Sequence, residues 1–402
     1  MLEIKPIINA LFRSKAGAMM LLVQIAVTVA IVSNATFIIQ DRVAYLNQET
    51  GYPEEEVFSF SIMSFAEDTN LLEQAELDEQ TLRNIPGVIN AVNASEVPLS
   101  GSGSASSFFL VPNPDGERGV RAAYTMGDEN IIDTLGVKIV AGRSFTADDV
   151  VVQEEGMDTV PSVGIASQAF LDEMFPEGDG IGKTLYFGPF PMQIVGVVDK
   201  MKGPWLKDSR ADNLVIIPLV RSHTFQKMIV RTEPGQRASI MAQVEDLMLE
   251  NSNERVIMRV RGMDESKQNY NAEDILMMRM LITLVVVLVS VTALGIFGLT
   301  VFNINKRTKQ IGTRRALGAR KSDIVRYFLV ENALICTLGL IIGGVAAVYL
   351  GQTLLQHYEV PALDLTYVII TMLSVLVISL LSVLMPANKA ANISPSIATR
   401  SI

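Results

Sequence analysis

The amino-acid sequence predicts an α-helical membrane protein with four transmembrane helices and a large mixed α+β extracytoplasmic domain. Three observations predict this fold class: high overall hydrophobicity, four long windows without a charged side chain, and an uneven distribution of charge between the intervening segments. Of the 402 residues, 49% are hydrophobic and 19% are charged, and the mean hydropathy is +0.32. The chain is therefore too apolar for a typical soluble domain and far from the composition of disordered chains.

The composition also excludes several classes of function. The net charge of −10 disfavours a nucleic-acid binder, which needs a basic face to replace phosphate counterions. The single cysteine, Cys336, rules out a disulfide framework, and His223 and His357 are too far apart in sequence to form a local metal pair. We therefore expect a chain that is not an enzyme, with no catalytic residue, no metal site and no bound cofactor.

Each uncharged window is long enough to cross a membrane. The windows are residues 16–40, 280–305, 332–356 and 365–388. At about 1.5 Å per residue, a helix of this length crosses a hydrocarbon core roughly 30 Å thick. The first window could instead be a cleaved signal peptide, but it exceeds the roughly 7 to 15 apolar residues of a signal-peptide core, so we predict that it is retained.

The orientation follows from the basic residues in the flanking segments. Residues 1–15, 306–331 and 389–402 hold 13 of the 33 lysines and arginines but only 3 of the 43 acidic residues. Because basic loops stay on the cytoplasmic side, these segments and both termini are predicted to be cytoplasmic. Residues 41–279 then form a large extracytoplasmic domain, and residues 357–364 form a short external loop.

The extracytoplasmic domain is predicted to contain two β-α-β units. The first consists of a strand at 57–63, a helix at 78–84 and a strand at 88–97. The second consists of a strand at 227–231, a helix at 238–249 and a strand at 255–261. Residues 101–219, which are rich in Gly, Pro and short strands, are predicted to be an inserted lobe.

Both connections between this domain and the membrane are predicted to be helical stalks. After the first span, apolar residues keep a helical spacing until Gly51 and Pro53, and residues 264–279 before the second span contain neither Gly nor Pro. The alternative is a pair of fraying linkers.

One segment imitates a nucleotide-binding loop. Gly182, Lys183 and Thr184 have the order of a P-loop, but Glu177 stands where that pattern requires a glycine. A carboxylate there would repel the phosphates, so we predict a glycine-rich turn before a strand.

The cytoplasmic segment 306–331 carries the most informative pattern. Its basic residues follow the positive-inside rule, but Gly312 and Gly318 are predicted to break a helix there. Ser322 is predicted to cap a short helix that begins near Asp323 and lies across the membrane face. Such a helix could dock in a cleft of a soluble protein or lie against lipid. In the third span, Gly339, Gly343 and Gly344 are predicted to allow close helix packing.

These segments resemble the FtsX-like permease family of ABC transporters, and in particular its MacB-type branch. The resemblance is carried by Gln310 to Glu331, by the C-terminal stretch Pro386 to Arg400, and by NIPGV, LGVKIVAGRSFTADD and VGIASQAFLDEMFPEGDGIGKTLYFG in the external domain. With the four spans, it covers essentially the whole chain. It implies porter-like β-α-β units in the external domain and an amphipathic elbow at Leu2 to Phe12.

The resemblance also implies partners and site residues. A permease of this family dimerises with a second copy or a paralogue, and each copy engages an ABC ATPase, here expected as a separate subunit that binds the ATP. The residues carried over to the ATPase-coupling element are Gly312, Arg314, Arg315, Leu317, Gly318, Ala319 and Ile324.

The expected function is that of a permease subunit of an export-type ABC transporter in a bacterial cytoplasmic (inner) membrane. It would transmit the ATP-driven motion of the ATPase to the periplasmic domain, which a periplasmic adaptor and an outer-membrane channel could join. A regulator of a cell-wall hydrolase or a sensor kinase, and a lipoprotein-extracting permease, stay open as alternatives.

Overall fold

The computed structural model describes residues 15–66, 69–112, 119–153, 159–221, 223–358 and 362–394. The predicted elbow at Leu2 to Phe12 and the last eight residues of the predicted cytoplasmic tail lie outside them. The chain divides into two compact units. The helical unit comprises Met1–Asn47 and Glu273–Ile402, and the mixed unit comprises Gln48–Ala272.

The helices and strands of the described residues are given in chain order. They are α1 (Lys15–Leu46), β1 (Val57–Ser64), α2 (Leu71–Arg83), β2 (Val88–Ala94), β3 (Ser104–Phe109), β4 (Val120–Met126), α3 (Ile131–Leu135), β5 (Ile139–Gly142), β6 (Val151–Gln153), β7 (Val163–Ser167), α4 (Gln168–Met174), β8 (Thr184–Phe187), β9 (Phe190–Val198), β10 (Leu214–Ile217), β11 (Leu219–Arg221), β12 (Phe225–Thr232), α5 (Arg237–Asn251), β13 (Arg255–Gly262), α6 (Met263–Tyr270), α7 (Ala272–Lys306), α8 (Thr308–Ala316), α9 (Lys321–Tyr358) and α10 (Leu365–Ala391).

Among the residues that the structure describes, four helices are long and apolar enough to span a membrane, as the sequence predicts. They are Gly17–Leu46, Ala272–Lys306, Lys321–His357 and Leu365–Ala391. Each of these helices extends beyond its uncharged window, because helix formation continues through polar residues until a capping residue or glycine interrupts it. The predicted second stalk is interrupted at Asn271, whose backbone amide and side-chain amide both donate to the Lys267 carbonyl.

Helix α9 is the centre of the helical unit, where it packs against α1 and α10. The predicted packing glycines lie on these contacts. A Cβ atom on Gly343 would lie 2.8 Å from the Ala26 carbonyl oxygen, and one on Gly339 would lie 2.9 Å from Ile25 Cγ2. Gly344 instead faces α10, where its nearest neighbour is Met372 Sδ at 3.3 Å.

Polar side chains add specific contacts within the helical unit. Asn34 on α1 donates to the Ala347 carbonyl of α9 at 3.0 Å. The hydroxyls of Thr28 and Thr292 form a 2.8 Å hydrogen bond between α1 and α7. Asn332 donates to the Ser379 hydroxyl at 2.6 Å and joins α9 to α10. Such hydrogen bonds fix the register of apolar helices, for which dispersion packing alone is weakly directional.

In the mixed unit, the two predicted β-α-β units share one four-stranded sheet. Its order is β13-β1-β12-β2, and every neighbouring pair is antiparallel. Each β-α-β unit is therefore split by a strand of the other, which is the split βαβ topology. Helices α2 and α5 contribute Leu82, Ile240 and Val244 to one buried cluster with Phe58 and Phe60 of the sheet.

Helix α2 begins seven residues before the predicted position. The side-chain oxygen of Asn70 accepts hydrogen bonds from the backbone amides of Leu72 and Glu73, and so caps a longer helix. Beside the four-stranded sheet, Asp78 of α2 forms an ion pair with Arg255 of β13, and both side chains are almost completely inaccessible to solvent.

The segment between β2 and β12 forms the inserted lobe around a seven-stranded sheet of order β5-β9-β7-β10-β4-β3-β8. Strand β8 pairs with both β3 and β9, so six of these strands form a closed ring. Phe108, Phe170 and Val215 are completely buried members of its core. Closure leaves β5 as the edge strand of the sheet.

The segment that imitates a P-loop is a turn that leads into β8. Gly182 has φ +75, and its amide donates to the Ile194 carbonyl at 2.7 Å. Because Thr184 is the first residue of β8, no helix follows the turn, whereas a phosphate-binding P-loop leads into one.

Candidate functional site

The segment predicted to dock on a partner forms a short helix between two long ones. Helix α8 follows α7 after Arg307, and a four-residue turn then leads to α9. Ile311 of α8 is buried and belongs to the same apolar cluster as Ile324 and Phe328 of α9 and Ala387 of α10. One face of α8 is therefore fixed on the helical unit, and the opposite face is exposed.

The end of α8 is a Schellman motif, which explains the sequence Ala316-Leu317-Gly318-Ala319. The Ala319 amide donates to the Arg314 carbonyl at 3.0 Å, and the Gly318 amide donates to the Arg315 carbonyl at 3.2 Å. Gly318 has φ +98, which is the left-handed conformation that this motif requires and that glycine adopts without a steric cost.

This turn presents an apolar side chain to solvent. Leu317 is 83% exposed, and no atom lies within 4 Å of the position of a Cβ on Gly318. Leu317 is therefore an exposed apolar side chain on a turn that is flanked by the basic residues Arg315 and Arg320.

The seven residues carried over from the family resemblance have three different environments. Arg314, Leu317 and Gly318 are exposed, Arg315 and Ala319 are half-buried, and Gly312 and Ile324 are buried. The first five surround the turn, whereas Ile324 packs in the apolar cluster that includes Ile311 of α8, and Gly312 is buried next to Ile311.

Gly312 does not break the helix, in contrast to the prediction. It lies in the interior of α8, between Thr308 and Ala316. A single glycine costs a helix about 1 kcal/mol relative to alanine, and the burial of Ile311 next to it offsets that cost.

The predicted short helix near Asp323 is also corrected. Helix α9 begins at Lys321 and continues as one helix to Tyr358, because no glycine or proline interrupts it before Gly339. The Asp323 carboxylate accepts a hydrogen bond of 2.9 Å from the backbone amide of Arg320. Asp323 rather than Ser322 therefore caps the start of α9. The short helix of this segment is α8, on the N-terminal side of the turn.

A buried ion pair that sequence reasoning missed holds the base of α8. Arg307 donates to the Glu331 carboxylate at 2.9 Å and to the Tyr327 hydroxyl at 3.2 Å. The side chain of Glu331 is 7% exposed. Arg314 adds a contact of 5.0 Å between its guanidinium carbon and the centroid of the Tyr327 ring. The available signal was an isolated acid, Glu331, at the end of a basic segment.

Comparisons with known proteins match both parts of the chain. The model of the MacB-like periplasmic core domain matches residues 17–247, which is more than half of the chain. The model of the FtsX-like permease C-terminal domain matches residues 282–395 and so includes α8 and the Schellman turn.

Several curated relatives are export proteins of bacteria. The macrolide export ATP-binding/permease protein MacB of Neisseria gonorrhoeae is 28% identical over 324 residues, which cover 75% of this chain and 46% of that protein. The pyoverdine export ATP-binding/permease protein PvdT of Pseudomonas aeruginosa is 26% identical, covering 68% of this chain and 41% of that protein. This chain thus spans less than half the length of these relatives.

Two solved structures align with about half of this chain. The periplasmic region of MacB from Actinobacillus actinomycetemcomitans is 18% identical and aligns with 55% of this chain and 94% of its own, with a TM-score of 0.32. The extracellular domain of the ABC-type transporter YknZ from Gram-positive bacteria is 16% identical and aligns with 50% of this chain, also with a TM-score of 0.32.

Proposed function

Because this chain belongs to the family of permeases that combine a MacB-like periplasmic core domain with an FtsX-like C-terminal domain, we propose that it is the membrane-spanning subunit of an export-type ABC transporter. In this proposal an ABC ATPase partner binds and hydrolyses ATP, and the permease itself has no catalytic role and holds no cofactor. The single observation that carries the proposal is the exposed turn after α8, which has the form of a docking element.

The turn is suited to receive force from a partner. Its apolar contact, Leu317, is exposed, while the helix that carries it is fixed by the buried Ile311 and by the Arg307–Glu331 ion pair. Force applied to Leu317 would therefore move α8 together with α9 rather than unfold a flexible loop. The basic side chains around the turn would match an acidic rim on the ATPase cleft.

Motion of α8 would reach the mixed unit through the helices that are joined to it along the chain. Helix α7 joins α8 directly, and both α1 and α7 connect along the chain to the mixed unit. The Thr28–Thr292 hydrogen bond and the hydrogen bond from Gln24 to the Val291 carbonyl at 3.0 Å join these two helices. We propose that α1 and α7 move together and so transmit the ATPase cycle to the extracytoplasmic domain.

The exposed surface of α7 supports assembly with a second permease copy or a paralogue. Met280, Leu284, Val287, Val291 and Leu294 recur every three or four residues, and all are exposed in the single chain. This spacing matches the seam of a left-handed helix pair. Single cysteines at Val287 and at Ile282 provide a test, because only the Val287 cysteine should form a cross-link between copies.

The proposed orientation places the mixed unit outside the inner membrane and α8 in the cytoplasm. A cysteine in place of the exposed Ser102 should react with a membrane-impermeant thiol reagent in intact spheroplasts. A cysteine in place of the exposed Lys309 should react only after permeabilisation. The native Cys336 is completely buried, so its background labelling should be low. The reverse pattern would contradict the orientation.

Affinity purification tests the function itself. The tagged chain is extracted in mild detergent, and the proteins that co-purify are quantified by mass spectrometry. We expect an ABC ATPase in a stoichiometric amount, together with a periplasmic adaptor or an outer-membrane channel. Recovery of the ATPase with a cell-wall hydrolase or a sensor kinase would replace export by regulation. Absence of any ATPase would contradict the whole proposal.

A further inference from the structure

A groove separate from the α8 turn lies between the start of α9 and the end of α10. It has a volume of about 450 Å³ and is lined on α9 by Lys321, Ser322 and Arg326, and on α10 by Asn388 and Asn392. The walls therefore carry two cations, a hydroxyl and two amides. All five of these side chains are exposed.

Helical periodicity separates this groove from the coupling element. Ser322, Arg326 and Leu329 are spaced by four and three residues and share one face of α9. Ile324 and Phe328, which are buried in the cluster that includes Ile311 of α8, lie on the opposite side of α9. A ligand in the groove would leave the Leu317 turn free.

The groove is electropositive. Among the residues that the structure describes, neither Lys321 nor Arg326 has an ion-pair partner. Asp323 is the nearest acid in sequence, and its carboxylate is directed to the backbone amide of Arg320. Two unpaired cations with neighbouring amide and hydroxyl groups form a site suited to a phosphate group, which accepts charge-assisted hydrogen bonds.

The floor of the groove is apolar and continues along the membrane-spanning part of α10. Val325 and Leu329 of α9 and Ala391 of α10 line the floor. Further along α10, Met385 and Leu381 precede Asn388 by three and seven residues, and both are exposed. A ligand that fits both parts has an anionic head and an apolar tail.

We propose that this groove binds the phosphate headgroup of an anionic phospholipid, with an acyl chain along Leu381 and Met385. Lys321 and Arg326 would hold the phosphate, and Asn388 and Asn392 would donate to headgroup oxygens. The proposal rests on the proposed orientation, which places these helix ends at the inner leaflet, where basic pockets between helices bind anionic lipids. The bound lipid would fix the ends of α9 and α10 beside the coupling element.

The test uses the full chain purified in neutral detergent and titrated with phosphatidylglycerol or phosphatidylcholine, with native mass spectrometry as the readout. We expect clear preference for phosphatidylglycerol. The double variant Lys321→Gln/Arg326→Gln should weaken that binding about 10- to 30-fold. Each basic residue near an anionic lipid strengthens binding by about fivefold, and two such contributions multiply. The matched double variant Lys309→Gln/Arg320→Gln removes two exposed cations outside the groove and should bind as the wild type does.

The outcomes separate this proposal from the proposed function. Equal binding of both lipids, or an equal loss in the two double variants, would overturn the groove as a lipid site. Displacement of phosphatidylglycerol by millimolar inorganic phosphate would instead assign it to free phosphate and would also overturn the proposal. Binding in detergent does not depend on orientation or on an ATPase, so a failed lipid titration leaves the pull-down result standing, and the reverse also holds.

Discussion

Leu317 offers the sharpest test of the coupling element, because its replacement changes a surface without disturbing a core. Burying a leucine side chain contributes about 1.5–3 kcal/mol, and Leu317 retains 83% of its exposure, so most of that free energy is available to a partner. Leu317→Ala should therefore lose about 1–2 kcal/mol of binding free energy, or roughly 5- to 30-fold in Kd. Leu317→Asp should abolish binding, since it adds a carboxylate to the buried interface.

The assay measures binding of the co-purified ATPase to the permease in nanodiscs by fluorescence anisotropy. Leu110→Asp is the matched control, because Leu110 is an exposed leucine of the mixed unit. Both aspartate variants should retain the wild-type thermal unfolding profile, as expected for exposed positions. If Leu317→Ala bound the ATPase within twofold of the wild type, Leu317 would not be an anchor of the interface.

Three further predictions concern packing, pH and a buried charge. Gly343→Val should destabilise the helical unit by about 1–3 kcal/mol because its Cβ would meet the backbone of α1, whereas Gly298→Val should not, since Gly298 faces open space; thermal unfolding in detergent compares the two. Burial, together with the charge of a neighbouring acid, raises the pKa of Glu79 to about 8. Because the pKa of Glu79 is higher in the folded state than in the unfolded state, its contribution to folding stability is complete below pH 4.5 and is lost as the pH rises through 8. Hydrogen exchange should therefore show α2 becoming less stable over this pH range, and Glu79→Gln should abolish that pH dependence. Asp78→Asn should cost about 3–5 kcal/mol by leaving Arg255 buried without its counter-ion, whereas Asp78→Leu combined with Arg255→Met should recover much of that stability in urea unfolding.

In the mixed unit, local sequence patterns predict the strands but not the order in which the strands pair. Period-two alternation and the turn at Pro86-Gly87 predict β1 and β2, but they do not specify which strands are neighbours. Strand β12 separates β1 from β2, and it pairs Val57 with Arg231, residues that are far apart in the sequence. Pairing over such a separation is decided by side-chain packing on the shared face of the sheet, which no local pattern records.

In the segment around α8, the sequence likewise predicts one helix end correctly and another incorrectly. Gly318 is recognisable in the sequence as a helix end because the left-handed conformation favours glycine. Ser322 gave an equally local signal, yet Asp323 caps α9 instead, because its carboxylate reaches the Arg320 amide. Competing caps one residue apart are separated by geometry that the sequence does not contain.

The sequence by itself determined the four candidate spans, because a hydrocarbon core requires long uncharged windows. It also determined the family, because the motifs of the MacB-like core domain keep their order along the chain. Only the tertiary structure decided which side chains of the basic segment 306–331 are exposed. Leu317 is exposed and Ile324 is buried, although both are apolar residues of the same segment. The physical reason is that burial depends on the faces that α8, α9 and α10 turn to one another, and those faces are set by contacts between residues distant in sequence.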